Sequence, residues 1–207
     1  TGLRVGDRVA GGRFAEIENI PADRLYRLPP SDLADQYWMV EPVSCIITGL
    51  DHTDTRAGQR VAVVGCGFMG LMLLQGLAHT LVKEIVAFDL RPNRLKLAAR
   101  FGASRTLNPS DPDFKAQRGE LEEFDTVVDA SGAQAGLDLS TELVRRGGMI
   151  NLFGWIHGEA QFSGTKWHGG GYTVVNSSPA ARVRDTFPPA IDLIDRGMID
   201  LKPLITH

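Results

Sequence analysis

Apolar residues in this chain cluster in short runs, with longer amphipathic stretches between them. Val61–Val64, Ile85–Phe88, Phe124–Val128, Met149–Phe153 and Tyr172–Val175 are such runs, rich in β-branched residues. Runs of this length suit strands buried on both faces of a parallel sheet. A further short strand is predicted over Ser104–Leu107. The stretches between the runs read as helices. One begins at Leu71, and one covers Arg91–Phe101, with Pro92 near its start and Gly102 as its stop. Another covers Ala133–Arg146 and is closed by Gly147-Gly148. Asn108–Arg118 reads as a loop or a marginal helix, and Trp155–Gly171 as a Gly-rich loop. The last helix is predicted over Arg182–Arg196, interrupted by Pro188-Pro189. Strand and helix alternating from about Arg60 to Asn176 predict an α/β fold with a doubly wound parallel sheet.

The first 40 residues have a different pattern. Leu3–Ala10 reads as a turn into a strand, Arg13–Ile20 as a second strand, and Pro21–Pro30 as an extended piece closed by prolines. Two or three strands cannot bury a core of their own, so they are expected to pack on other sequence. Ser31 is a candidate cap for a helix start. A helix with proline at its first position is predicted from Glu41-Pro42 through Val43, Ile46, Ile47 and Leu50, and a polar loop from Asp51 to Gln59.

Composition narrows the partners. With 207 residues, 43% hydrophobic and 23% charged, the chain matches a soluble globular protein. A net charge of −3 gives no reason to expect nucleic acid or a membrane as partner. No apolar stretch reaches membrane-spanning length, and the opening residues are not expected to act as a signal peptide. Cys45 and Cys66 suggest neither a disulfide framework nor a metal pair, so a cytoplasmic location is expected.

The candidate chemistry lies where the first buried strand ends, in Gly65-Cys66-Gly67-Phe68-Met69-Gly70. Gly65 permits the tight turn into the helix, Gly67 lets the backbone approach a pyrophosphate, and Gly70 lets helix and strand pack closely. The phosphates would meet N–H groups at the helix N-terminus. Asp89 ends the next strand 19 residues after Gly70, near the offset of about 20 for an acid on the adenosine ribose. An ordinary turn with a surface aspartate gives the same letters without function. A methyltransferase also carries a glycine turn and an acidic strand end, although the third glycine argues against it. The carboxylate favours NAD over NADP, because it repels a 2′-phosphate. Arg91 and Arg94 nearby could instead hold that phosphate. Ser131 and Phe153, after later strands, stand where open α/β sheets bind ligands.

These residues resemble the zinc-dependent alcohol and polyol dehydrogenases of the medium-chain dehydrogenase/reductase superfamily. The resemblance rests on Gly6-Asp-Arg-Val-Ala, Phe14-Ala-Glu, Pro21-Ala-Asp-Arg, Glu41-Pro42, the glycine turn, Asp89, Asp129-Ala-Ser-Gly132, Gly147-Gly148 and Pro203–His207. It implies a Rossmann domain inserted into a GroES-like β-barrel. Residues 1–40 would then be a barrel segment, 41–177 the NAD-binding domain, and 178–207 the return toward the barrel. It also implies hydride transfer between a secondary alcohol and NAD, a catalytic zinc, and a homodimer joined through a sheet edge at Met149–Phe153 or Tyr172–Asn176. Arg94 would contact the adenosine end, and Phe68, Met69, Ser131 and Phe153 would line the cofactor. Glu41 matches a carboxylate at or beside the zinc. The family's upstream cysteine and His-Glu pair have no counterpart here, so the chain is expected to be truncated at both ends and not to hold zinc alone. Between Val9 and Phe14 there is no cysteine-rich structural zinc lobe. A non-catalytic dinucleotide-binding module is the alternative reading of the chain as it stands.

Overall fold

Six parallel strands form the centre of the protein, a computed structural model that describes residues 2–12, 15–178, 180 and 183–205. In chain order they are β3 (Arg60–Val64), β4 (Glu84–Phe88), β5 (Arg105–Leu107), β6 (Phe124–Asp129), β7 (Val144–Leu152) and β8 (Thr173–Asn176). Their spatial order is β5-β4-β3-β6-β7-β8, so the chain winds outward from β3 in both directions. The apolar runs fill both faces as their composition requires: Val61 to Val64, Ile85 to Phe88 and Val127 to Val128 are all buried.

Helices cover both faces and divide the core in two. α1 (Val40–Thr53) and α2 (Phe68–Ala78) pack on one face, with α7 (Phe187–Asp195) beside α1. α3 (Pro92–Arg100) follows β4, and the six-residue α4 (Phe114–Gly119) occupies the region read as loop or marginal helix. On the other face Phe88 and Phe124 meet edge to face at 6.3 Å, within a cluster that includes Val64, Leu143 and Ile150.

Several boundaries differ from the sequence reading. α5 (Gln134–Leu143) stops before the double glycine, and β7 begins at Val144. Phe124 pairs with Val144 but Thr126 pairs with Met149, so Arg145–Gly148 forms a bulge in the strand. Gly147 takes φ 66°, which ends no helix here but allows that bulge. Pro188-Pro189 lie in the first turn of α7, where missing N–H groups cost nothing, so they start the helix instead of interrupting it. The predicted start of that helix at Arg182 lies outside the described residues. The Gly-rich loop holds a helix, α6 (Gly164–Gly170), because Ser163 Oγ accepts the Lys166 N–H and caps it. β7 lies between β6 and β8, so β8 alone of the two candidate strands is an edge.

The N-terminal segment holds less regular structure than expected. β1 (Val9–Ala10) pairs antiparallel with β2 (Tyr26–Arg27), and residues 15–20 form no strand. Arg13 and Phe14 lie outside the described residues. Ser31 Oγ accepts the Leu33 N–H at 3.3 Å, but only a 3-10 turn at Asp35–Tyr37 follows. α1 is anchored on several sides. Ser44 and Thr186 hydroxyls pair at 2.7 Å between α1 and the start of α7, both buried. Asn151 Nδ2 of β7 donates to the Gly49 carbonyl (3.1 Å) and to Thr53 Oγ1 (2.8 Å), which fixes α1 on the sheet.

Candidate functional site

β3, β4, β6 and β7 end side by side, and the glycine turn leaves β3 at their centre. Gly65 has φ 92°, and a Cβ there would lie 2.7 Å from the Ser131 nitrogen and Cα. Its own N–H donates to the Phe88 carbonyl at 2.8 Å. A Cβ on Gly70 would lie 2.0 Å from the Gly65 carbonyl oxygen, so glycine alone lets α2 start this close to β3. Gly67 is different: a Cβ there would meet nothing within 4 Å. Its missing side chain opens space in front of the turn. α2 begins at Phe68 with no side-chain cap, so its first-turn N–H groups, on Phe68, Met69 and Gly70, have no partner within the helix. Open space before an uncapped helix N-terminus fits a pyrophosphate.

Asp89 sits beside this opening and is 8% exposed. Its Oδ2 accepts the Cys66 N–H at 2.8 Å and its Oδ1 accepts the Arg91 N–H at 2.8 Å. Arg94 Nη1 lies 3.5 Å from Oδ2. The carboxylate is thus tied to the glycine turn itself, a link that residue spacing alone does not reveal. Oδ1, with the Arg91 N–H as its partner, keeps a second acceptor site, which suits a ribose hydroxyl. Cys66 is fully buried between them, and its Sγ donates to the Phe88 carbonyl at 3.7 Å. Burial, and then the Asp89 charge, push its thiol up to about 12, with Arg94 acting weakly the other way. Such a thiol is inert at neutral pH.

On the other side of β3, Ser131 follows β6. Its N–H and Oγ both donate to Asp129 Oδ1, at 2.9 and 2.6 Å. The Phe153 N–H is engaged by the carbonyls of Asp129 (2.9 Å) and Asn151 (3.1 Å). A Cβ on Gly49 of α1 would lie 2.8 Å from two Phe153 ring carbons, so the half-buried ring packs against that helix at the margin of the core. Asp129, 1% exposed, stands at the end of β6 as Asp89 stands just after β4. The sequence signal for it was an acid closing an apolar run before small residues. Burial holds its carboxyl above the ordinary range, and the two Ser131 donors offset only part of that.

Glu41, in the first turn of α1, is exposed, and Cys45 Sγ donates to its Oε1 at 3.3 Å. Among the described residues no group of three or more His, Cys, Asp or Glu side chains could hold a metal ion. Those residues do not fit a zinc site, since zinc needs at least three protein ligands.

Strand order, the uncapped glycine turn and the acid beside it define a Rossmann-type nucleotide-binding domain. Residues 69–196 match the zinc-binding dehydrogenases, and the chain belongs to that family. It is 29% identical over 205 residues to D-arabinitol dehydrogenase 1 of Uromyces fabae, covering 95% of this chain and 57% of that protein. An alcohol dehydrogenase of Escherichia coli CFT073 complexed with NADH superposes with a TM-score of 0.77 at 26% identity, over 91% of this chain and 56% of that one. A zinc-binding dehydrogenase from Sinorhizobium meliloti 1021 bound to NADP shares the fold, with a TM-score of 0.79 at 22% identity over 90% and 56% of the two chains. The chain spans about half the length of the curated relatives it matches.

Proposed function

We propose that this chain is the NAD-binding part of a zinc-type alcohol or polyol dehydrogenase, which transfers hydride between a secondary alcohol and the nicotinamide. The observation that carries the reading is Asp89, held by the Cys66 and Arg91 N–H groups at the rim of the space that Gly67 leaves open. Bound NAD supplies the hydride acceptor. The chain's part is to bind and orient it: the first turn of α2 faces the pyrophosphate, and Asp89 accepts the ribose hydroxyls. NAD is preferred over NADP because a fixed carboxylate opposes a 2′-phosphate, with Arg94 already directed toward that carboxylate. We take 41–177 as the cofactor domain, and 1–40 with 178–207 as parts of a second, barrel-like domain. No step is assigned to zinc on these residues. The unbridged, buried thiol of Cys66 favours a reducing, cytoplasmic setting.

Isothermal titration with NAD, NADP and S-adenosylmethionine tests this reading. NAD should bind tightest, and a folded chain that ignores NAD sinks it. Asp89→Ala should weaken NAD by about 1.5–3 kcal/mol and narrow its lead over NADP.

We also infer a two-fold homodimer. Among the described residues β8 is an edge strand whose outer backbone groups have no partner strand in the sheet, and it contains no proline. A second copy pairing antiparallel along β8 would cover both edges at once. Light scattering across a dilution series should show twice the chain mass; a monomer persisting at high micromolar concentration would mean this edge is protected.

A further inference from the structure

Asp129 mirrors Asp89 across β3, and each stands at the end of a strand beside a different half of the crevice. A doubly wound sheet binds the two mononucleotide halves of its ligand on opposite sides of the central strand. Asp89, on the β4 side, marks the adenosine half. The β6 and β7 ends then belong to the nicotinamide half.

That second half is walled by the turn Ala130–Gly132, which is gripped from three directions. A Cβ on Gly65 would lie 2.7 Å from the Ser131 nitrogen, and one on Gly154 2.5 Å from the Gly132 nitrogen. From α5, a Cβ on Gly136 would lie 1.9 Å from Ser131 Oγ and 3.0 Å from Asp129 Oδ1. Asp129 ties these contacts together. Its Oδ1 takes both Ser131 donors, and its backbone carbonyl takes the Phe153 and Gly154 N–H groups at 2.9 and 2.7 Å. Its side chain is buried and Ser131 is exposed, so the acid acts on a ligand only through the turn it holds.

We propose that Asp129 is a positioning residue for the nicotinamide half of the dinucleotide, fixing the Ala130–Gly132 wall through its Oδ1 acceptor. The proposal rests on the NAD-binding reading above. It separates from a merely structural role because only ligands that reach past the pyrophosphate should feel it.

The test is titration of the whole chain with NAD and with AMP, which carries the adenosine half alone. Asp129→Ala should lose roughly tenfold in NAD affinity, about what one charged hydrogen-bond acceptor is worth, with AMP affinity within about twofold of the parent. Asp129→Asn keeps an oxygen acceptor at the same place and should restore NAD binding. If Asp129→Ala loses its near-ultraviolet dichroism, Ser131→Ala replaces it; it removes the hydroxyl donor alone, and NAD should fall several-fold with AMP unchanged. Equal losses for NAD and AMP, no loss for NAD, or failure of asparagine to restore binding would each overturn the proposal. A parent chain that binds AMP but not NAD would overturn the cofactor reading together with it, whereas a parent that binds both isolates the fault in Asp129.

Discussion

Asp125 and Asp129 stand four residues apart on β6, at opposite ends of the same strand, and the protein has treated them oppositely. Asp125 is met by charge. Its Oδ2 accepts the Arg60 N–H and its Oδ1 the Arg145 Nε–H, both at 2.8 Å. Arg60 also donates from Nε to Glu84 (2.7 Å) and from Nη1 to Glu122 (2.9 Å), and lies 5.1 Å from the Phe124 ring centre. Burial would raise the Asp125 carboxyl, but the Arg60 N–H, the Arg145 bond and the two guanidinium charges outweigh it and leave it below the ordinary range. Asp129 is met by neutral donors alone, and burial wins. One end of the sheet is therefore held by flexible ionic side chains in partial contact with water. The other is held by backbone pressed against backbone at Gly65, Gly70 and Gly154. The first arrangement tolerates adjustment. The second gives a fixed surface that a ligand can be read against.

The sharpest way to break this comparison is to add one methyl at each kind of glycine. Gly70→Ala places a carbon 2.0 Å from the Gly65 carbonyl, and neither backbone can yield without moving α2 off β3. Overpacking of this kind should cost about 3 kcal/mol in denaturant melts. Gly67→Ala adds the same methyl to open space at φ −70°, so stability should stay within about 0.5 kcal/mol. NAD affinity should nevertheless fall by roughly tenfold or more, because that space is where the pyrophosphate approaches. A neutral Gly70→Ala would show that the carboxyl end is as adjustable as the amino end.

The parallel core was legible because its signal is redundant. Val61–Val64 and Ile85–Phe88 are too short and too apolar for anything but buried strands, and Gly65 to Gly70 with Asp89 fix the turn between them. What escaped was structure whose cause lies outside its own segment. Arg145 reads as the last turn of a helix, yet it turns away to reach Asp125 across the sheet. Residues 15–20 have a strand's composition but no ladder to join. The Cys66 N–H bond to Asp89 is long-range and uses a backbone donor that every residue type carries. Phe153, expected to line the cofactor, packs its ring on Gly49 of a helix about a hundred residues earlier, a contact that no local pattern specifies. Asp129 entered only within the Asp129–Gly132 stretch that carries the resemblance, because its partners come from a turn that no spacing rule specifies.

The smallest expected effect is also the most specific, because it concerns sign. A carboxyl whose folded value lies below its unfolded value near 3.9 contributes stability above that pH, lost as pH falls through the folded value. Asp125 is of this kind. Asp125→Asn should therefore cost about 0.5–1 kcal/mol at pH 7, the range for partly exposed pairs, and the cost should fade below about pH 4. A carboxyl whose folded value is raised holds its proton longer in the folded state than in the unfolded one. Its contribution is largest at low pH and declines as pH rises from about 3.9 through the folded value. Asp129 is of this second kind, so Asp129→Asn should be at least as stable as the parent at pH 7, with its advantage shrinking on acidification. Thermal melts of the parent and both variants between about pH 3.5 and 7 would give the two differences opposite signs at neutral pH. If both variants lost stability together on the neutral side, Asp129 would be held by a counter-charge like Asp125, and the two ends of β6 would be built alike.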